Sequence, residues 1–251
     1  LKKAFENRWI DVMEKENKIG GAYSMGVYGV HPFVLLNYIN SSRDVSTIAH
    51  ELGHAMHSYY ANNSQNIINA NYTIMVAEVA STVNETILAD YLINKETDKK
   101  KKAALINSQL DDIRATLVRQ TMFAEFEKIV HERTEKGESL SSDELNNIYF
   151  DLVKKYFGED CVFDEEIKYE WARIPHFYSC FYVYKYATGI TAAIAIASKI
   201  LKGEPGYVEE YKKMLSLGGS KGSLELLKMV DVDLEKEETY EIAFNYFKEK
   251  L

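Results

Sequence analysis

The stretch "STIAHELGHAMHS", residues 46–58, carries three of the chain's six histidines, His50, His54 and His57, with Glu51 beside the first. Residues four apart in a helix lie one turn above the other on a single face, so His50 and His54 can present two imidazoles to one point. Upstream, Ser41 is followed three residues later by Asp44, the pattern of a helix N-cap with an acidic residue in the first turn. Ile48, Ala49, Leu52, Ala55 and Met56 give that helix apolar surface to pack. The stretch therefore predicts a helix that begins just after residue 41 and carries the two histidines as a pair.

Paired imidazoles suit zinc, and a catalytic zinc commonly takes three protein ligands and leaves one position for water. Glu51, next to the first imidazole, is placed to hydrogen-bond such a water, accept its proton and pass it to a leaving amine. A third ligand must come from elsewhere. One metalloprotease class has a glycine three residues after the second histidine and another histidine three beyond that; His57 and Tyr60 occupy those positions, so that class is excluded. A downstream carboxylate is the alternative, and Glu78, Glu85 and Asp90 are the nearest. Glu78 stands between "IMVA" and "VA", where an unpaired carboxylate is costly, so a cation partner is expected there. The expected donor set is His50, His54 and Glu78, for one zinc per chain. Glu85 lies about two turns further along the same face and could hydrogen-bond a ligand imidazole from behind. His57 sits about 10 Å beyond His50 along the axis, which makes it a poor ligand for the same ion and leaves contact with a ligand, cleft lining and packing open.

Around this helix the chain reads as mainly α. Apolar spacing predicts helices over about 72–92, 99–136 and 143–157, a further one from near Pro175 to about Leu201, and two short ones at the end. Strand signal is confined to "GGAYSMGVYGVHPFVLLNYIN", residues 20–40, a glycine-rich hairpin whose second strand covers about Phe33 to Ile39 and whose open edge could hold an extended peptide. No repeat or linker appears, so residues 1–251 are expected to form one unit. A net charge of −8 argues against a nucleic-acid groove or an anionic membrane surface. No apolar run approaches the roughly 18 residues of a membrane span. Two cysteines are too few for a disulfide framework and read as free thiols in a reducing cytoplasm. The start at Leu1 rather than Met suggests a piece of a longer chain.

Three separated motifs, "DVSTIAHELGHAMHSYY" (44–60), "AEVASTVNE" (77–85) and "RIPHFYSCFYVYKYATG" (173–189), resemble in this order the oligoendopeptidase F branch of the thimet-oligopeptidase-like zinc metallopeptidases. The resemblance implies a zincin-like catalytic domain with a small β-hairpin or sheet beside the active-site helix. It further implies a cytoplasmic zinc endopeptidase that cuts oligopeptides, with His50, His54 and Glu78 as ligands and Glu51 as general base. It assigns the oxyanion of the tetrahedral intermediate to His176 and Tyr184, with Tyr178 and Tyr182 taking the tyrosine's place if the register shifts. A reading of another class is a non-catalytic, zinc-stabilised peptide-binding fragment.

Overall fold

In the computed structural model, which describes residues 1–158 and 160–251, a short helix α1 (Lys2–Glu6) leads into strands β1 (Ile10–Met13), β2 (Tyr23–Met25) and β3 (Phe33–Tyr38). The sheet order is β1-β3-β2, with β1 parallel and β2 antiparallel to β3. β2 and β3 are the predicted hairpin. Strand alternation sends Val34 and Leu36 to one buried face, where they meet Ala55 and Ile48 of the next helix. One expectation is corrected here. β3 is flanked on both sides, so Phe33 to Ile39 has no open edge; the antiparallel strand with a free side is β2.

The next helix, α2 (Ser42–Ser64), starts where the cap pattern places it. Ser41 Oγ accepts the Asp44 N–H at 3.2 Å, and the Asp44 carboxylate accepts the Ser41 N–H at 2.8 Å. α2 runs to Ser64, into the Asn-rich segment 61–71, and is followed by α3 (Ile74–Lys95). The two pack closely through Gly53: a Cβ there would lie 2.5 Å from Ser81 Cα and 2.7 Å from the Ala80 carbonyl oxygen. Only glycine lets these backbones approach so far, and that approach sets the height at which α3 presents its carboxylates to α2.

The predicted long helix appears as α4 (Lys99–Ile113) and α5 (Arg119–Glu135), joined by a π-helical turn over Arg114–Val118 and ended by Gly137 at φ +85°. α6 (Ser142–Phe157) carries a second capping box, Ser141 with Glu144. After 3₁₀ turns at Glu165–Arg173 and Pro175–Tyr178 comes α7 (Tyr184–Leu201). The helix expected from Pro175 is therefore broken. Phe181 adopts φ +52° and donates its N–H to the buried Glu127 carboxylate at 2.6 Å, which leaves helical geometry before α7 begins. Three helices close the chain instead of two: α8 (Tyr207–Ser216), α9 (Ser223–Lys228) and α10 (Glu237–Lys250).

The chain divides into two compact units, Leu1–Leu110 with Gly189–Leu251, and Asp111–Thr188. In the first, Val76, Val79 and Val83 of α3 bury against Ala193 and Ile196 of α7, Met214 and Leu215 of α8, and Leu227 of α9. In the second, Phe123 and Phe126 of α5 pack on Tyr149 and Val153 of α6 with Ile174 and Val183. Among the described residues no helix is long and apolar enough to cross a membrane. Cys161 and Cys180 are free and exposed.

Candidate metal centre

His50 and His54 project from the same face of α2, and their Nε2 atoms lie 3.2 Å apart. Glu78 reaches them from α3, with Oε2 at 3.7 Å from His50 Nε2 and Oε1 at 3.9 Å from His54 Nε2. Among the described residues these three form the group whose ligand atoms converge, all within 4.8 Å of one another. Two imidazoles and one carboxylate are a donor set that suits zinc and other borderline divalent ions.

Each imidazole is held by its surroundings. His50 Nδ1 lies 3.1 Å from Glu85 Oε2, and Ser46 Oγ donates to the other oxygen of that carboxylate at 3.0 Å. With Nδ1–H donated to Glu85, His50 turns the lone pair of Nε2 toward His54 and Glu78. Burial would depress the His50 pKa, but the hydrogen bond and charge of Glu85, joined by the charges of Glu78 and Glu51, raise it above the ordinary value. His54 makes a backbone hydrogen bond at Ala77, yet burial and then the neighbouring His50 push it down to about 4. It is neutral near pH 7, the form a ligand needs.

Glu51 is 7% exposed, and its Oε2 is buried with no hydrogen-bond partner among the described residues. Burial raises its pKa, as it does that of Glu78. A buried carboxylate oxygen left without a donor is costly, and a polar group or ion that completes the site would relieve it.

His57 is kept apart from this group. It is 1% exposed, stacks on Tyr72 with ring centroids 3.5 Å apart, and has both ring nitrogens buried without a hydrogen-bond partner among the described residues. Burial, then His54, pushes its pKa down to about 3, so it is a neutral packing residue. Of the three options open in the sequence, the structure takes packing. Beside His54 lies a cavity of about 380 Å³ lined by Ser24 and Gly26 of the β2 region and by Ser58 and Tyr72.

His176, Tyr178 and Tyr184 belong to the second unit. His176 and Tyr178 stand on the 3₁₀ turn Pro175–Tyr178 and Tyr184 opens α7, so no common helical face relates them. His176 Nε2 is 3.3 Å from Tyr186 Oη, and its ring stacks on Tyr182. Tyr178 is 86% exposed and Tyr184 43%. Sequence reading missed Ser46 and the role of Gly53. The signal for Gly53 was its position inside the five-residue His-to-His motif, where a glycine in mid-helix points to close packing.

The description Peptidase family M3 matches residues 1–246. Oligopeptidase PepF of Bacillus subtilis is 47% identical over 251 residues, which is 100% of this chain and 38% of that protein. A crystal structure from Chlamydophila abortus superposes with TM-score 0.93 at 43% identity, covering 99% of this chain and 42% of that one. The oligoendopeptidase-F from Enterococcus faecium superposes with TM-score 0.74 at 41% identity, covering 83% and 38%. The chain thus spans about two fifths of the length of the relatives it matches. The three sequence motifs, the convergence of His50, His54 and Glu78, and a match over residues 1–246 agree: the chain belongs to peptidase family M3.

Proposed function

We propose that residues 1–251 are the catalytic part of a cytoplasmic zinc endopeptidase that hydrolyses internal bonds of short oligopeptides. The observation that carries this reading is the spacing of the three donors. Ligands about 2.0–2.1 Å from a tetrahedral zinc stand roughly 3.3–3.4 Å from one another; here the two Nε2 atoms are 3.2 Å apart, one Glu78 oxygen lies 3.7 Å from His50 and the other 3.9 Å from His54, and one ligand atom from each residue lies within 4.8 Å of the other two. Bound there, zinc would polarise the scissile carbonyl and make a water more acidic.

The chain's own residues do the rest. Glu51, next to His50 in the chain, takes the proton of the attacking water on its carboxylate and delivers it to the leaving amine. Glu85 and Ser46 fix the His50 ring so that Nε2 faces the site. The free edge of β2, whose Ser24 and Gly26 line the cavity beside His54, holds the substrate backbone in extended form. His176 and Tyr184, with Tyr178 in its place under the shifted register, are the oxyanion donors in this reading; what supports them is the resemblance of "RIPHFYSCFYVYKYATG".

The test is cleavage of a quenched fluorescent peptide library by the purified chain. Cleavage at internal bonds that a chelator abolishes and added zinc restores is the expected result; metal-independent cleavage, or none with zinc bound, contradicts it.

A further inference from the structure

We propose that Glu127 is a positioning residue for the oxyanion donors: by accepting the Phe181 N–H, its buried carboxylate holds the backbone turn that sets where His176 and Tyr184 stand. This rests on the reading above in which those two side chains meet the oxyanion, and adds to it the group that keeps them in place.

Phe181 lies between the two, five residues after His176 and three before Tyr184. Its φ of +52° is a conformation that a bulky residue avoids unless its surroundings impose it. α5 imposes it twice. Glu127 Oε1 accepts the Phe181 N–H at 2.6 Å, and one turn further along the same helix the His131 ring packs on the Phe181 ring with centroids 4.7 Å apart. Apolar side chains anchor the segment on either side: Phe177 packs against Phe123 and Phe126, and Ile174 and Val183 are buried with them. The turn between these anchors folds the segment back on itself, so that the His176 ring stacks on Tyr182 and its Nε2 lies 3.3 Å from Tyr186 Oη. With Phe181 at an ordinary negative φ the chain would leave the turn in another direction, and His176 would part from Tyr182 and Tyr186.

A carboxylate in this place is costly to the fold. Glu127 is 5% exposed and forms no ion pair among the described residues. Glu170 of the same unit, with its side chain 8% exposed, is by contrast ion-paired to Arg119 and Arg173 and accepts the Tyr149 hydroxyl. An apolar side chain of the same length at 127 would pack beside Phe123 and Phe126 without that cost. It could not accept an N–H. A carboxylate is among the strongest acceptors a side chain offers, which suits a contact that must offset a disfavoured φ.

The experiment measures kcat and KM on a quenched fluorescent peptide for three zinc-loaded variants that separate reach from charge. Glu127→Met keeps the length and loses the acceptor, Glu127→Asp keeps the carboxylate and draws it back by a methylene, and Glu127→Gln keeps an acceptor oxygen at full length. The expected result for Glu127→Met and Glu127→Asp is a fall in kcat of about 10- to 100-fold. KM and zinc affinity stay within about threefold of the unaltered protein, and Glu127→Gln recovers most of the lost kcat. Unchanged kcat in Glu127→Met and Glu127→Asp, a change carried by KM alone, or a loss that Glu127→Gln shares, overturns the proposal. Should Glu127→Met not fold, Glu127→Asp carries the same outcomes. If the unaltered protein cuts no peptide, the peptidase reading fails and the hold on this segment is still decided by amide exchange. Residues 177–184 must then exchange at least about tenfold faster in Glu127→Asp than in the unaltered protein, and equal exchange overturns the proposal.

Discussion

The Nδ1 atom of His50 stands 3.1 Å from Glu85 Oε2, while Ser46 donates to the other oxygen of the same carboxylate. This contact fixes both the orientation of the imidazole and the tautomer that leaves Nε2 free for a metal. Glu85→Ala is expected to weaken zinc binding about 10- to 100-fold, measured by competition with a chromophoric chelator. Unchanged affinity would show that His50 needs no such support.

Gly53 separates the two metal-bearing helices by the smallest possible side chain. Gly53→Ala places a methyl 2.5 Å from Ser81 Cα, so α2 and α3 must move apart. The expected cost is about 1–3 kcal/mol in denaturant unfolding, with loss of zinc affinity because Glu78 withdraws from His50 and His54. An alanine variant as stable and as tightly metallated as the unaltered chain would remove the close approach from the account.

His57 gives a pH dependence of defined sign. Its folded-state pKa is pushed down to about 3 by burial, below the ordinary value near 6.5, so between these limits the unfolded chain binds a proton that the folded chain refuses. Stability from the neutral ring is fully present above about pH 6.5 and is lost as pH falls toward 3. In chelator-treated protein, moving from pH 7 to pH 5 should cost the unaltered chain roughly 1–2 kcal/mol more than His57→Phe, which keeps a ring on Tyr72 and lacks the titrating group. Parallel pH profiles for the two would contradict a buried neutral His57.

The start of α2 and the pairing of His50 with His54 are legible in the sequence because a capping box and a four-residue spacing are local. Glu78 is legible for another reason: a carboxylate set among valines and alanines announces a partner before the partner is known. Local pattern does not reach the rest. β1 pairs with β3 in parallel across 24 positions, from Ile10 to Val34, and this long-range pairing moves β3 from the edge to the centre of the sheet. The break before α7 depends on the Glu127 carboxylate, 54 residues from the Phe181 N–H it accepts. Helical geometry makes His57 a poor ligand but leaves its job open, because the stack on Tyr72 that buries it comes from the tertiary fold.

The central claim is that Glu51 acts as the proton acceptor beside a metal held by His50, His54 and Glu78. Turnover per bound zinc in Glu51→Gln tests it most directly, with zinc content and peptide cleavage measured on the same sample. The account predicts about one zinc per chain, as in the unaltered protein, with turnover lower by about 10²–10⁴-fold. A Glu51→Gln variant that keeps its zinc and cleaves peptides at the unaltered rate would contradict it.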